Sequence, residues 1–433
     1  MAEPYPLSPS LWYATAPAAA PTLPLATDAS ADVCVIGAGF AGLSTALHLA
    51  EAGVSVIVLE THEPGWGGSG RNGGQVIPGI KYDPSEIVAK FGPVAGEALI
   101  GFVGSTADLV FDLIAKHGMD VPHKRTGWIQ GAHTPTMVET VKRRAAEWQA
   151  RGVDAAFLDK EAIARLLGTD RYLAGWIDRR AGGVQPLAYA RGLAKAALAA
   201  GATIHGQSKV VSLKRDGGRW TVRTAQGATV TAPRVVVATN GYTGDLIPQL
   251  RQTVIRPNSF IVATEPLSDN IAGTILPEGQ VTSDTRQLLL YFRKDHQNRL
   301  LMGGRGPFRE PKDASDWAHL ERVVGKMYPQ VKGVPFDFRW CGRVALTRDF
   351  LPHLHEPEPG LLVDIGCMGR GVGLQSAMGK AMAEYIATGD KGRLPFPVVP
   401  ITPLPLHALN ELYVSAIIAW YRLTDGGMKD KAA

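Results

Sequence analysis

A chain of 433 residues is longer than one hydrophobic core usually serves, so two packed domains are expected, not necessarily divided at a single boundary. Hydrophobic residues make up 45% and charged residues 20%, the net charge is +5, and no lysine or arginine run marks a nucleic-acid surface. Cys34, Cys341 and Cys367 give neither a disulfide framework nor a metal-ligand spacing, which excludes a cysteine-built zinc site and points to a reducing cytoplasm.

Residues 1–30, rich in Pro and Ala, lack the basic start and apolar core of a secretory signal and read as an extended arm. Residues 32–36 form the first strand, which turns through Gly37-Ala38-Gly39-Phe40-Ala41-Gly42 into an apolar helix. A second strand, 54–59, ends in Glu60, eighteen residues after Gly42. This order of strand, glycine turn, helix, strand and acid binds dinucleotides: Gly37 permits the turn, Gly39 clears the pyrophosphate, and Gly42 lets the helix lie close to the sheet. The helix N-terminus faces the phosphates, and Glu60 accepts from a ribose diol while repelling a 2′-phosphate, which favours FAD or NAD over NADP.

Residues 64–75 are too glycine-rich for regular structure and must be held by something they wrap. A helical pattern runs from 87 to 151, and Gly182-Gly183-Val184-Gln185-Pro186 leads into an alanine-rich helix over 189–200. A strand at 202–214, an alternating strand at 220–224, a turn at Gln226-Gly227 and a strand at 228–230 read as a small meander. The meander delivers the chain to a buried strand, 234–238, which opens onto Thr239-Asn240-Gly241. Strands at 259–263, 287–292 and 299–303, with a helix near 317–327, form a second, mixed layer. The strand at 361–366 breaks at 367–373 and restarts as a helix over 374–388, ended by Gly389.

The apolar stretch 412–421 is far short of the ~20 residues that span a bilayer. It is expected as a helix docked on the protein's own surface or on a partner subunit; the alternative is an interfacial membrane helix, with Trp420, Tyr421 and Arg422 at one end. The expected division is a nucleotide-binding domain from 31–80, 181–250 and 341–400, a substrate domain from 81–180 and 251–340, and a C-terminal helical extension over 401–433.

Five segments carry a resemblance: Gly68-Ser69-Gly70-Arg71-Asn72-Gly73-Gly74-Gln75, Ala238-Thr239-Asn240-Gly241-Tyr242, Leu301-Met302-Gly303-Gly304-Arg305, Trp340-Cys341-Gly342 with Thr347 and Leu351-Pro352, and Gly369-Arg370-Gly371-Val372-Gly373. With them the chain resembles the D-amino-acid oxidase superfamily of FAD-dependent oxidoreductases, and within it the branch similar to γ-glutamylputrescine oxidoreductase. The resemblance implies an α/β fold in which a Rossmann-like FAD-binding domain of the glutathione-reductase type carries an inserted mixed-sheet substrate domain. It implies FAD, held non-covalently, with its ring between the two layers and residues 69–75 along the pyrophosphate, ribityl chain and ring. Arg71 and Asn72 would then lie nearest the chemistry, Val210 and Val211 would offer backbone groups to the adenine, Thr239 to Gly241 would pass the phosphates, and Gly342 and Gly369 belong to the same cofactor set. A flavin gains negative charge at its N1 and O2 edge on reduction, and the N-terminus of a helix opening at Gly371, Val372, Gly373 and Leu374, with the charge of Arg370, suits that edge.

The expected reaction moves a hydride equivalent from the carbon beside an amine nitrogen to flavin N5, water hydrolyses the imine, and O2 regenerates FAD with release of H2O2. Arg305, Arg71 or Arg343 would supply positive charge beside the ring, and Arg71, Asn72, Arg305 and Arg370 are the catalytic candidates. Relatives that oxidise α-amino acids carry an arginine two residues after the glycine matching Gly342; this chain has Val344 there, which favours an amine without an α-carboxylate. Arg370 stands where relatives often have histidine. Cys341 lies near a site of covalent flavin attachment in some relatives, but a buried, unreactive thiol is expected. Trp66, Tyr242, Tyr291, Phe292 and Trp340 are aromatic candidates for an amine cage, with Arg343 beside them. Three rival readings remain at this level: a dehydrogenase passing electrons to a quinone or carrier, a non-catalytic flavin protein, and an NAD-dependent dehydrogenase. Oligomeric state is left open.

Overall fold

Short runs of buried apolar residues, which satisfy both faces of a covered sheet, build the first layer. In the computed structural model, which describes residues 4–424, a six-stranded sheet runs in the order Thr203–His205, Val56–Leu59, Val33–Ile36, Arg234–Val237, Leu361–Ile365 and His353–His355. The first five strands are parallel and the last pairs antiparallel. Alternate side chains divide between two cores. Val33, Val35, Val56, Val58 and Val236 face the helices Phe40–Glu51 and Gly371–Thr388, whereas Cys34, Ile57, Val235, Val237 and Val363 face the meander with Trp220, Val222 and Val230. The two helices lie so close that a Cβ on Gly379 would stand 2.4 Å from the Ala41 carbonyl oxygen.

The second layer is an eight-stranded mixed sheet, ordered Phe336–Arg343, Asn258–Thr264, Leu300–Arg305, Tyr291–Lys294, Val281–Asp284, Trp128–Ala132, Ala174–Asp178 and Ala155–Leu158. It has its own core, centred on Phe260, Phe292, Met302, Trp317 and Tyr328. A four-stranded sheet is the meander, extended by Ala29–Ser30, and three short strands, Gln75–Val76, Gly182–Val184 and His123–Lys124, sit where the layers meet.

Several sequence expectations are corrected. The helical span 87–151 is four helices, Pro84–Phe91, Pro93–Gly104, Thr106–Lys116 and Pro135–Gln149, interrupted by the strand Trp128–Ala132. That five-residue strand has no helical competitor once it is paired on both sides, and Gly131 admits the Tyr172 ring, which would stand 2.6 Å from a Cβ. Residues 93–116 are, among the described residues, the helical stretch apolar and long enough to cross a membrane. Leu99, Ile100, Val103, Val110, Leu113 and Ile114 are instead buried in the large core that joins the first-layer strands and helices to Trp128, Trp176 and Val281 of the second sheet. The strand expected at 202–214 is two strands of different sheets, Thr203–His205 and Val210–Asp216, separated by a bend with Gln207 at φ 50°. The strand expected at 287–292 begins only at Tyr291.

The N-terminal arm is not merely extended: Leu11–Thr15 is a helical turn that buries Leu11 and Trp12. The C-terminal helix, Asn410–Thr424, is longer than expected and does not dock on the body of the protein, since Leu412, Trp420 and Leu423 are 70%, 63% and 80% exposed. The rest of the expected extension, 425–433, lies outside the described residues.

Because backbone cannot retreat from the Gly379 contact, Gly379→Val is expected to destabilise the protein by about 1–3 kcal/mol, the usual cost of overpacking. A lowered denaturation midpoint in urea checks this, and an unchanged midpoint would show that the helix pair can separate at no cost.

Candidate functional site

One cavity of about 1310 Å³ runs between the layers from the first glycine turn to the eight-stranded sheet. That exceeds the usual 300–1,000 Å³ of a small-molecule pocket, so it has room for a dinucleotide and a small molecule together.

At the first-layer end the glycine turn is built by close approach. Gly37 has φ +102°, and a Cβ there would stand 2.9 Å from the Ala238 carbonyl oxygen; a Cβ on Gly42 would stand 1.9 Å from the Gly37 carbonyl oxygen. Gly42 therefore closes the turn on itself and does not line the cavity, whereas Gly37, Gly39, Phe40 and Ala41 do. Glu60 also lines it, half-buried, and its carboxylate accepts from the Ala38 N–H at 2.8 Å and the His62 N–H at 2.9 Å. Desolvation raises its pKa in spite of those bonds. Ser69 lines the same region, its Oγ accepting from the Phe40 N–H at 2.9 Å. Val210 and Val211 border it where the register of the Val210–Asp216 ladder slips, so that Val211 has no cross-strand partner and its backbone is released to the cavity. Thr239, Asn240 and Gly241 line the facing wall, with Asn240 at φ 40° and its side-chain oxygen accepting from the Gly366 N–H at 3.1 Å.

The glycine-rich loop that follows is fastened by its carbonyls. The Trp340 indole donates to the Arg71 oxygen at 2.9 Å, the Trp12 indole to the Asn72 oxygen at 2.7 Å, and the Arg293 guanidinium to the Gly74 oxygen at 2.6 Å. Asn72 spends both amide hydrogens on Gly68 and Ser69 carbonyls and accepts from the Gly74 N–H, so its side chain shapes the loop. Arg71 is buried beneath Trp66, 4.2 Å from the ring centre, with Tyr242 at 5.8 Å, and donates to the Trp66, Tyr5 and Cys341 carbonyls. Its Nη2 has no partner, although Arg71 lines the cavity. Gly73 and Gln75 also line it; Gly70 and Gly74 do not, and serve the loop's own tight turns.

The expected amine cage is thus corrected. Trp66 and Tyr242 line the cavity but pack on the chain's own Arg71, Trp340 is buried in the core behind the loop, and Phe292 lies in the core of the second layer. Arg343 lines the cavity with its guanidinium committed to Glu310 at 2.8 Å. Cys341 is buried, and loss of water pushes its thiol up to about 12.

The last helix opens at Gly371, three residues before the sequence expectation, with Arg370 as its N-cap residue. Gly342, Gly369, Arg370, Gly371 and Val372 line the cavity, so the positive end of this helix meets it, whereas Gly373 packs against Thr106 and Leu374 is buried. Gln375 lines it one turn on, with its amide nitrogen buried and unpartnered. Behind Gln375 the sequence reading missed Asp364, which shares the helix-facing side of its strand with Leu362 and has neither oxygen hydrogen-bonded. Burial raises its pKa to about 7.

The second-layer end is a chamber. Tyr291 projects into it, its hydroxyl 2.8 Å from Ser259 Oγ, and Gly303 is glycine because a Cβ would stand 2.0 Å from the Tyr291 ring. Arg305 lines the chamber, donating to the Asn258 carbonyl at 3.2 Å. Lys81, Trp128 and Arg144 also line it and were not anticipated, because nothing local in the sequence distinguishes them from ordinary surface or core residues. The unpartnered Arg71 and Gln375 donors, the released Val211 backbone and the helix N-terminus together fit a bound flavin dinucleotide.

Comparison with known proteins agrees with this geometry. Residues 32–385 match the DAO family, described as FAD dependent oxidoreductase. The chain is 32% identical over 421 residues to the gamma-glutamylputrescine oxidoreductase of Escherichia coli, covering 94% of this chain and 97% of that protein. It is 34% identical over 381 residues to a Haemophilus influenzae protein named "Probable oxidoreductase OrdL", covering 86% of each. Among solved structures, glycine oxidase from Geobacillus kaustophilus superposes with a TM-score of 0.70 at 20% identity, over 87% of this chain and 99% of that one, a likeness of fold.

Trp12→Phe keeps the ring but removes the donor to Asn72, and is expected to weaken FAD affinity about tenfold, the worth of roughly one hydrogen bond; titration of apoprotein with FAD checks this. Asp364 holds a proton in the folded state that the unfolded chain releases near pH 4, so its presence costs stability progressively from there up to about pH 7 and constantly above. Asp364→Asn should therefore raise the melting temperature more at pH 8 than at pH 5, and an equal shift at both would place the proton elsewhere.

Proposed function

Because the chain belongs to the DAO family of FAD-dependent oxidoreductases, and is thus an FAD enzyme acting on C–N bonds, we propose that it oxidises a γ-glutamylputrescine-like amine and returns its electrons to O2, giving H2O2. The observation that carries this reading is the continuity of one cavity from Gly37 and Glu60 to the Tyr291 chamber, which lets a substrate carbon meet a redox ring between the two layers.

Gly37, Gly39, Glu60 and the Val211 backbone would hold the adenosine end of FAD, residues 69–75 its middle, and the N-terminus at Gly371 and Val372 its ring edge. The bound FAD supplies a two-electron acceptor for the hydrogen on the carbon beside nitrogen. The protein's own contribution is orientation and proton control. An amine must reach the reaction neutral, and the chamber favours that form: its carboxylates are tied up, Asp83 by Arg143 and Arg144 and Asp284 by Arg286, while Lys81, Arg370 and Arg305 surround the space with positive charge. A nearby cation lowers the pKa of an ammonium, so the substrate sheds its proton on entry. Arg305, whose guanidinium donates to the Asn258 backbone carbonyl, is the cation best suited to meet negative charge developing on O2, since Arg343 is ion-paired and Arg71 lies under Trp66. Val344 lines the cavity where an α-carboxylate clamp would stand, which supports an amine whose carboxylate is not α to the reacting carbon. The buried Cys341 supports non-covalent FAD, and three unpaired cysteines suit the cytoplasm.

The exposed C-terminal helix favours one other reading, electron transfer to a quinone or carrier. Anaerobic mixing with γ-glutamylated amines, polyamines and N-methyl amino acids should bleach the 450 nm flavin band with the first class fastest. Aerobic turnover should then yield one H2O2 per imine; bleaching without peroxide would move the acceptor to a carrier, and no bleaching by any amine would sink the oxidation itself.

A further inference from the structure

Lys81 follows the Pro78-Gly79-Ile80 segment and opens onto the chamber. Its side chain has ample surface toward the cavity, yet protein surrounds it: loss of bulk water, together with the charges of Arg370, Arg144 and Arg305, pushes its ammonium down to about 8. Among the described residues no carboxylate stands within ion-pair distance of Lys81, Arg370 or Arg305. Arg370 donates to the Pro78 carbonyl and lies 5.2 Å from the Trp128 ring centre, and Arg305 donates to the Asn258 carbonyl at 3.2 Å. The nearest acid in sequence, Asp83, is held by Arg144 at 2.7 Å and by Arg143 at 3.0 Å. Of these three cations, Lys81 alone makes no hydrogen bond among the described residues, whereas Arg370 and Arg305 each reach a carbonyl, so its ammonium is the one available to a ligand.

Like charges held close together repel one another, and a fold keeps them together at a cost that a bound anion removes. FAD, drawn to the glycine turns and the helix N-terminus, would occupy the other end of the same cavity. We propose that the substrate amine also carries a carboxylate, and that Lys81, with Arg370 and Arg305 around it, is the specificity-determining group that binds this carboxylate. The assignment rests on amine oxidation as the reaction and names the residue that would select the carboxylate of its substrate. It accounts for two facts at once: the chain lacks an arginine at Val344, and it gathers cations from a different wall, the 78–83 segment and the cap of the last helix. The carboxylate is thereby met by a movable point charge, which accepts it from more than one direction, where a guanidinium fork fixes a single geometry.

The test uses FAD-loaded protein and two matched probes that cannot be oxidised, benzoate and its neutral isostere benzamide, with binding read from the perturbed flavin spectrum. Wild type is expected to bind benzoate well ahead of benzamide. Lys81→Met should weaken benzoate binding about tenfold and leave benzamide unchanged, as removal of one charge-assisted contact predicts. Lys81→Arg should keep benzoate affinity within about threefold while retaining FAD, which guards against a folding artefact. Anaerobic flavin reduction by γ-glutamylated diamine against the same diamine acetylated should show the carboxylate-bearing partner favoured in wild type and the preference lost in Lys81→Met. Equal binding of benzoate by wild type and Lys81→Met, or equal binding of benzoate and benzamide by wild type, would overturn the proposal. Lys81-dependent benzoate binding by a protein whose flavin no amine reduces would keep Lys81 as the anion-binding group and overturn the reaction instead.

Discussion

The site depends on how a loop that is half glycine is held still. Residues 68–75 have too few Cβ atoms to pack themselves, and glycine loses more conformational freedom on folding than any other residue. Their rigidity is imported through the carbonyls of Arg71, Asn72 and Gly74, each taken by a donor from another part of the chain: Trp340 and Arg293 from the second layer and Trp12 from the N-terminal arm. The two indoles also meet edge to face, with ring centres 5.7 Å apart, and Gln185 takes the Trp12 carbonyl at 2.8 Å. The loop is therefore positioned by both layers and by the arm, and its geometry reports whether they are assembled.

That arrangement explains why one cavity serves two purposes. On the first-layer side the unsatisfied groups that meet the cavity are donors, the Gly371 end of the last helix, the Gln375 amide and the free nitrogen of Arg71, with the buried Asp364 carboxyl behind them. Donors without acceptors await a ligand rich in oxygen and in partial negative charge, as a flavin dinucleotide is. On the second-layer side the unsatisfied groups are full charges. Asp284 and Asp83 are each matched by arginine, whereas Lys81, Arg370 and Arg305 are not. The two ends differ in kind, and the difference separates cofactor from substrate without any wall between them.

The C-terminal helix stands apart from this logic. Its apolar residues are displayed and not buried, and no part of the site contacts it; its role is not needed to account for the cavity.

How much was readable before folding varied with the range of the constraint. The glycine turn at Gly37, the strand that ends at Glu60 and the loop at 68–75 were legible because each leaves a local mark, an apolar run closed by an acid or glycines at a positive φ and at close approaches such as Gly42 on Gly37 and Gly70 on Gly65, that sequence spacing records directly. The resemblance to a flavoenzyme family followed from the 68–75 loop together with short runs at 238–242, 301–305, 340–352 and 369–373. The strand Trp128–Ala132 was missed because its identity comes from neighbours at Val281–Asp284 and Ala174–Asp178, and of the aromatic candidates Trp66, Tyr242 and Tyr291 line the cavity while Phe292 and Trp340 are core, a division that aromatic type by itself does not record. By itself the sequence determined the nucleotide-binding scaffold. Only tertiary structure decided which donors fasten the loop, joining residues 60 and 269 positions apart, and which cations share the chamber, since hydrogen bonds and charge balance depend on distance in space and not on separation along the chain.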